Sequence, residues 1–155
     1  MTLPISMMAA AAALLISGSA LAGMQTIQCK LVFHTVDMTE TTTAFNDMAL
    51  QAIRAAGACT TADGDTFEKE FVYIVNAGKN GVNYKGYSVY TDIRGDALFL
   101  SFDGGLGPKG HKGIYNIIGG TGAYSGATGD GTLTGIKTPW KDATFIDVVM
   151  NVKTP

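Results

Sequence analysis

Residues 119–135 read GGTGAYSGATGDGTLTG, seven glycines in seventeen positions, and three chemistries compete for such a stretch. A dinucleotide fingerprint needs G-x-G-x-x-G leading from a strand into a helix. Here Gly120-Thr121-Gly122 reaches its next glycine only at Gly126, one residue late, and a strand pattern follows. A Walker loop needs Gly-Lys-Ser or Gly-Lys-Thr, whereas Gly135-Ile136-Lys137-Thr138 carries an extra residue. The spacing recurs at Gly129, Gly131 and Gly135, as in calcium-binding nonapeptides. Those need an Asp two residues after the second glycine, where this chain has Tyr124 and Leu133. Sheet architecture is left: glycine permits positive φ, bulges and close backbone approach where a ribbon of strands turns a corner.

Working outward, short runs rich in β-branched and aromatic residues alternate with Gly, Asn and Asp breaks. This is the pattern of an antiparallel sandwich or barrel. Strands are expected over Gln25–Val36, Thr66–Asn76, Val82–Asp92, Ala97–Phe102, Gly113–Ile118, Gly129–Ile136 and Ala143–Lys153, with an eighth if one of these is split. Lys79-Asn80-Gly81 and Arg94-Gly95-Asp96 supply hairpin residues that tolerate positive φ. One segment, Ala44–Ala56, spaces Phe45, Met48, Ala49, Ala52, Ile53 and Ala56 at three- and four-residue steps before Gly57. That spacing predicts one short amphipathic helix near the N-terminus.

Period-two alternation puts Phe67, Phe71, Tyr73 and Val75 on one face of their strand. Leu98, Leu100 and Phe102 share a face, as do Ile146, Val148, Met150 and Val152. Small barrels fill their interior with side chains or hold one small ligand, so the aromatic residues have two readings. Tyr84, Tyr87, Tyr90, Tyr115 and Tyr124 are either ordinary strand residues or part of a binding wall.

The N-terminus is set apart. Met7–Ser17 is a short apolar run followed by the small-residue site Ala20-Leu21-Ala22, the form of a secretory signal peptide with cleavage after Ala22. No apolar run reaches the roughly 20 residues of a membrane span. The expected organisation is a signal peptide over residues 1–22 and one barrel domain over 23–155, exported to the periplasm or the extracellular space. Export favours a disulfide between Cys29 and Cys59. A net charge of -2 supplies no basic field for nucleic acid.

Catalytic constellations are sparse. His34 and His111 lack a carboxylate at motif spacing, and no G-x-S-x-G elbow surrounds Ser88 or Ser125. Asp63, Asp65, Glu68 and Glu70 depart from the EF-hand spacing and read as a solvated turn and strand edge. No metal site is expected, and nothing in the sequence demands a cofactor.

Tyr90-Thr91-Asp92, Lys112-Gly113-Ile114-Tyr115 and the run from Gly119 to Thr132 resemble the allene oxide cyclase and dirigent barrel superfamily. In that superfamily a strand ends in Gly-Gly-Thr-Gly, followed by an aromatic, small residues and the next strand. The resemblance spans Phe67–Val152 and is closer still to small exported bacterial barrels. It implies an all-β, eight-stranded antiparallel barrel with an apolar cavity, which plant members use to cyclise a fatty-acid epoxide or to steer radical coupling of phenols.

Three functions stand open. The first is binding of a small apolar or aromatic ligand, with Tyr73, Tyr84, Tyr90, Phe102 and Tyr115 as wall residues. The second is an isomerase or cyclase, for which Glu70, Tyr115, Asp147 and His111 are the candidate catalytic groups. The third is a structural or self-associating envelope protein, a homo-oligomer without a ligand.

Overall fold

A computed structural model describes residues 23–43, 48–79 and 81–155. Eight strands, β1 (Gly23–Thr43), β2 (Met48–Thr61), β3 (Thr66–Gly78), β4 (Gly81–Asp92), β5 (Ala97–Gly107), β6 (Gly110–Gly120), β7 (Thr128–Ile136) and β8 (Thr144–Thr154), follow in that order. Each pairs antiparallel with its sequence neighbours, and β8 returns to β1 to close the barrel. Closure pairs the strands on both sides around the barrel, while beyond Phe33 β1 continues to Thr43 against β2 alone. The expected signal segment, Met1–Ala22, lies outside the described residues.

The eighth strand is β2, and the helix expected over Ala44–Ala56 is not there. Residues 44–47 lie outside the described residues, and Met48–Ala56 are strand. Their exposure alternates with period two: Ile53 and Ala55 turn inward while Leu50, Ala52 and Arg54 face out. Alanine-rich segments satisfy both periods, and here the two-sided ladder to β1 and β3 decides. Small residues suit this wall. A Cβ on Gly57 would sit 2.6 Å from that of Phe33, and Ala55 is fully covered.

Two irregularities bend the ribbon. Pairing slips by one residue at Val36 against β2 and at Ile118 against β5, the extra residue of a bulge in each case. Between β6 and β7 the glycine-rich stretch forms a single 3-10 turn, Gly122–Tyr124, which tucks Tyr124 and Ala127 into the core. Thr121 and Ala97 clamp its base: the Thr121 N–H donates to the Ala97 carbonyl at 2.8 Å, and the Ala97 N–H to Thr121 Oγ1 at 3.0 Å. Asp96 Oδ2 accepts the Ala123 N–H at 3.1 Å. Gly122 has a φ of 54°, and a Cβ there would collide with the Asp96 carboxylate, so only glycine fits.

That turn covers one end of the barrel, together with the turns after β2 and β4. Beneath it lie Ile27, Leu98, Leu100, Ile117, Met150 and Val152, all buried. Cys29 of β1 and Cys59 of β2 both point inward and form a disulfide, with Cα atoms 5.4 Å apart. Among the described residues no helix is long and apolar enough to cross a membrane.

Candidate functional site

The opposite end is reached by the turns after β3, β5 and β7 and by the β1–β2 connection, whose residues 44–47 lie outside the described ones; among the described residues it is less well covered. Inward residues there, Phe33, Ile53, Tyr73 and Tyr84, are only partly buried although they pack on the core. They top a connected set of rings. Phe71 stands edge-on to Phe33 at 4.9 Å and stacks on Tyr73 at 5.4 Å. Tyr73 and Tyr84 meet at 6.5 Å, and each meets Phe102 at 6.1 and 6.3 Å. Phe102 continues to Tyr115 at 5.9 Å, and Tyr115 to Tyr90 at 6.1 Å. All five expected wall residues, Tyr73, Tyr84, Tyr90, Phe102 and Tyr115, thus stand on the inner face of β3 to β6. A glycine gap makes room for one of them: a Cβ on Gly104 would lie 2.7 Å from the Tyr84 hydroxyl, which donates to the Lys112 carbonyl at 3.2 Å.

Below these rings sits a residue the sequence reading passed over. Lys69 is inward on β3, between Phe67 and Phe71, and only 2 % exposed. Its Nζ donates to Tyr115 Oη at 2.7 Å, and Tyr115 Oη lies 3.0 Å from Tyr90 Oη. The rings of Phe71, Tyr90, Tyr115 and Phe102 stand 4.3, 4.8, 5.0 and 5.5 Å from the amine. Among the described residues no carboxylate pairs with it. Charging an amine in such surroundings forfeits its hydration with no counter-ion in return. Burial accordingly pushes the Lys69 ammonium well below its ordinary value of 10.5.

The phenols shift the other way. Burial, reinforced by the neighbouring Tyr115, holds Tyr90 well above the ordinary 10.0. Burial also raises Tyr115, with the hydrogen bond from Tyr90 pulling against it. Tyr84 is pushed up to about 12 by burial, then by Tyr73 and Asp103. Burial thus favours the neutral form of the amine and of both phenols. One step nearer the open end on β4 lies Ser88, whose buried Oγ has no hydrogen-bond partner; it pairs in register with Phe71 and Leu100.

The other candidates are scattered. Glu70 lies on the outer face of β3, exposed. Asp147 is on the outer face of β8, bound to Lys30 Nζ at 2.8 Å. His111 is half-buried at the open end, its ring 5.9 Å from Tyr84, and burial lowers its pKa from 6.5. Only Tyr115 of the four stands in the interior. A groove of about 630 Å³ opens on the outer wall instead, where Arg54, Val72, Ile74, Lys85, Tyr87 and Asp103 face solvent.

No protein-family model matches the sequence. No curated protein matches it either. Solved structures do. Two pterocarpan synthase dirigent proteins superpose with TM-scores of 0.59 and 0.55 at 12% and 11% identity, covering 96% and 83% of this chain and 98% and 95% of theirs. A protein of unknown function from the DUF3224 family of Shewanella oneidensis MR-1 superposes with a TM-score of 0.56 at 13% identity, over 86% of this chain and 99% of that one. Identity at this level speaks for architecture alone. This chain has the fold of the dirigent-type barrels, the fold its glycine core resembles in sequence.

Proposed function

We propose that this protein binds a small apolar or aromatic molecule at the open end of its barrel. One observation carries the reading: inward apolar side chains are fully covered at one end, yet Phe33, Ile53, Tyr73 and Tyr84 are only partly covered at the other. An apolar wall with a few convergent polar groups, here the Tyr84 hydroxyl and His111, is the usual make-up of a ligand site. Trp140 lies on the 137–143 connection at the same end, exposed and against Phe145 at 4.9 Å. Intrinsic fluorescence, from Trp140 and the inward tyrosines, is the readout. Titration with long-chain fatty acids and with simple phenols is expected to give a saturable change in at least one class; a flat response in both contradicts the reading.

Binding takes place outside the cytoplasm in this proposal, after removal of Met1–Ala22. Support comes from the form of that segment and from the Cys29–Cys59 disulfide. Mass spectrometry of the exported protein is expected to find Gly23 at the amino terminus, and an intact Met1 on exported material would refute it.

An isomerase or cyclase is the second reading. Tyr115 supports it through its contact with Lys69, whereas Glu70 and Asp147, out in solvent, take no part.

A further inference from the structure

We propose that Lys69 is a carbonyl-reactive amine, and that the barrel takes an apolar or aromatic aldehyde or ketone, held as a reversible imine. This deepens the reading of the open end as a ligand site and rests on it, because a substrate must enter there to reach the amine.

Four features converge. Lys69 lies inside a box of four rings with no counter-ion among the described residues. Its amine lies 4.3 and 5.5 Å from the Phe71 and Phe102 rings, which pack in turn on Tyr73 at the open end. Burial favours its neutral form over the ammonium, the shift that makes desolvated lysines nucleophilic. Tyr115 and Tyr90 together form a proton store in contact with the nitrogen. Ser88, buried and unpartnered one residue pair nearer the opening, is a donor without an acceptor. A carbonyl oxygen would give it one.

The chemistry closes on these groups. The Nζ lone pair attacks the carbonyl carbon, a C–N bond forms and the C=O π pair moves to oxygen. Oxygen takes a proton from Tyr115 Oη, and the nitrogen returns one to it, leaving a neutral carbinolamine. Tyr115 then protonates the hydroxyl, the C–O bond breaks and water departs. The iminium gives its proton back to Tyr115, so the sum is amine plus carbonyl to imine plus water. No oxidant or reductant takes part.

The test uses the full mature chain with cinnamaldehyde and, as its carbonyl-free analogue, cinnamyl alcohol. Binding of both is followed by intrinsic fluorescence, and the aldehyde sample is then reduced with borohydride near neutral pH and digested for mass spectrometry. The expected result is saturable binding of both compounds, with one dominant adduct on the Lys69 peptide, heavier by the aldehyde less its oxygen. That adduct is lost in Lys69→Met and slowed at least tenfold in Tyr115→Phe and several-fold in Ser88→Ala, while Glu70→Gln behaves as wild type. Circular dichroism of each variant shows whether the barrel is intact. Should Lys69→Met not fold, the site of the adduct in the wild type decides alone. Binding of both compounds with adducts spread over exposed lysines such as Lys30 and Lys153, or with none, overturns this inference and leaves the open-end site standing. Binding of neither, with no Lys69 adduct, overturns both.

Discussion

Lys69 Nζ and Tyr115 Oη lie 2.7 Å apart at the centre of a closed barrel, on strands that are not neighbours, β3 and β6. The contact crosses the interior, so it exists only because the sheet closes. Tyr90, reached by both, completes a polar island in an apolar core. Such an island costs stability unless it is used or fully satisfied.

Replacing Lys69 with Met keeps length and volume while removing the desolvated amine. Tyr115 and Tyr90 keep each other as partners. Chemical denaturation is expected to show Lys69→Met as stable as the wild type or more so, by about 1 kcal/mol near neutral pH. A loss of several kcal/mol would mean that the amine holds the core together.

The same pair fixes a pH dependence. The unfolded chain keeps the Lys69 proton up to the ordinary lysine value, while the folded chain, with its pKa well below 10.5, has already lost it. Folding therefore releases a proton between the two values, and stability rises with pH across that window, by at most about 1.36 kcal/mol per unit. The described titratable groups that face Lys69 are Tyr90 and Tyr115, and they oppose the trend only above about pH 10. As the pH rises towards the ordinary lysine value the wild type is expected to gain on Lys69→Met, and parallel unfolding curves would contradict this.

Phe102 touches the rings of Phe71, Tyr73, Tyr84 and Tyr115. Phe102→Ala opens a cavity at the floor of the open end and is expected to lower unfolding free energy by about 3–5 kcal/mol. The variant also weakens ligand binding in the fluorescence titration. Unchanged affinity would place the ligand elsewhere, the outer groove beside Tyr87 included.

Cys29 and Cys59 close a loop with a sequence separation of 30. Replacing both with Ala is expected to cost about 3.5 kcal/mol, most of it through the unfolded chain. Thermal unfolding with and without a reductant checks this, and insensitivity to reduction would contradict it.

Gly122→Ala strains the turn that covers the closed end, since its φ of 54° suits glycine and Asp96 occupies the Cβ position. A loss of about 1–3 kcal/mol is expected in urea unfolding. An unaffected variant would mean that the turn is free to rearrange.

Much of the barrel was legible because alternation is a direct consequence of the pleat. The inward sets of β3, β5 and β8 and the hairpin glycines Gly81 and Gly95, with φ of 117° and 88°, followed from it. Strand lengths were less legible. The expected strands ended at Phe102 and began at Gly113, yet β5 runs on through Gly104 and Gly105 and β6 starts at Gly110, with Gly104 and Gly113 facing each other. β2 read as a helix because alanines fit either period, and only its two neighbours in the sheet distinguish them. Lys69 was missed for a different reason. A strand lysine is ordinarily a solvent residue, but its parity with Phe67, Phe71 and Tyr73 already placed it inside. Glu70, one residue on, carried the more familiar catalytic side chain and the wrong parity.

The protonation of Lys69 itself can be observed. In protein carrying labelled lysine, the side-chain 13Cε resonance of Lys69, assigned by its loss in Lys69→Met, is followed from about pH 6 to 11 by NMR. An amine desolvated in the barrel gives a midpoint well below the ordinary lysine value of 10.5. A Lys69 resonance that titrates together with the surface lysines would contradict it.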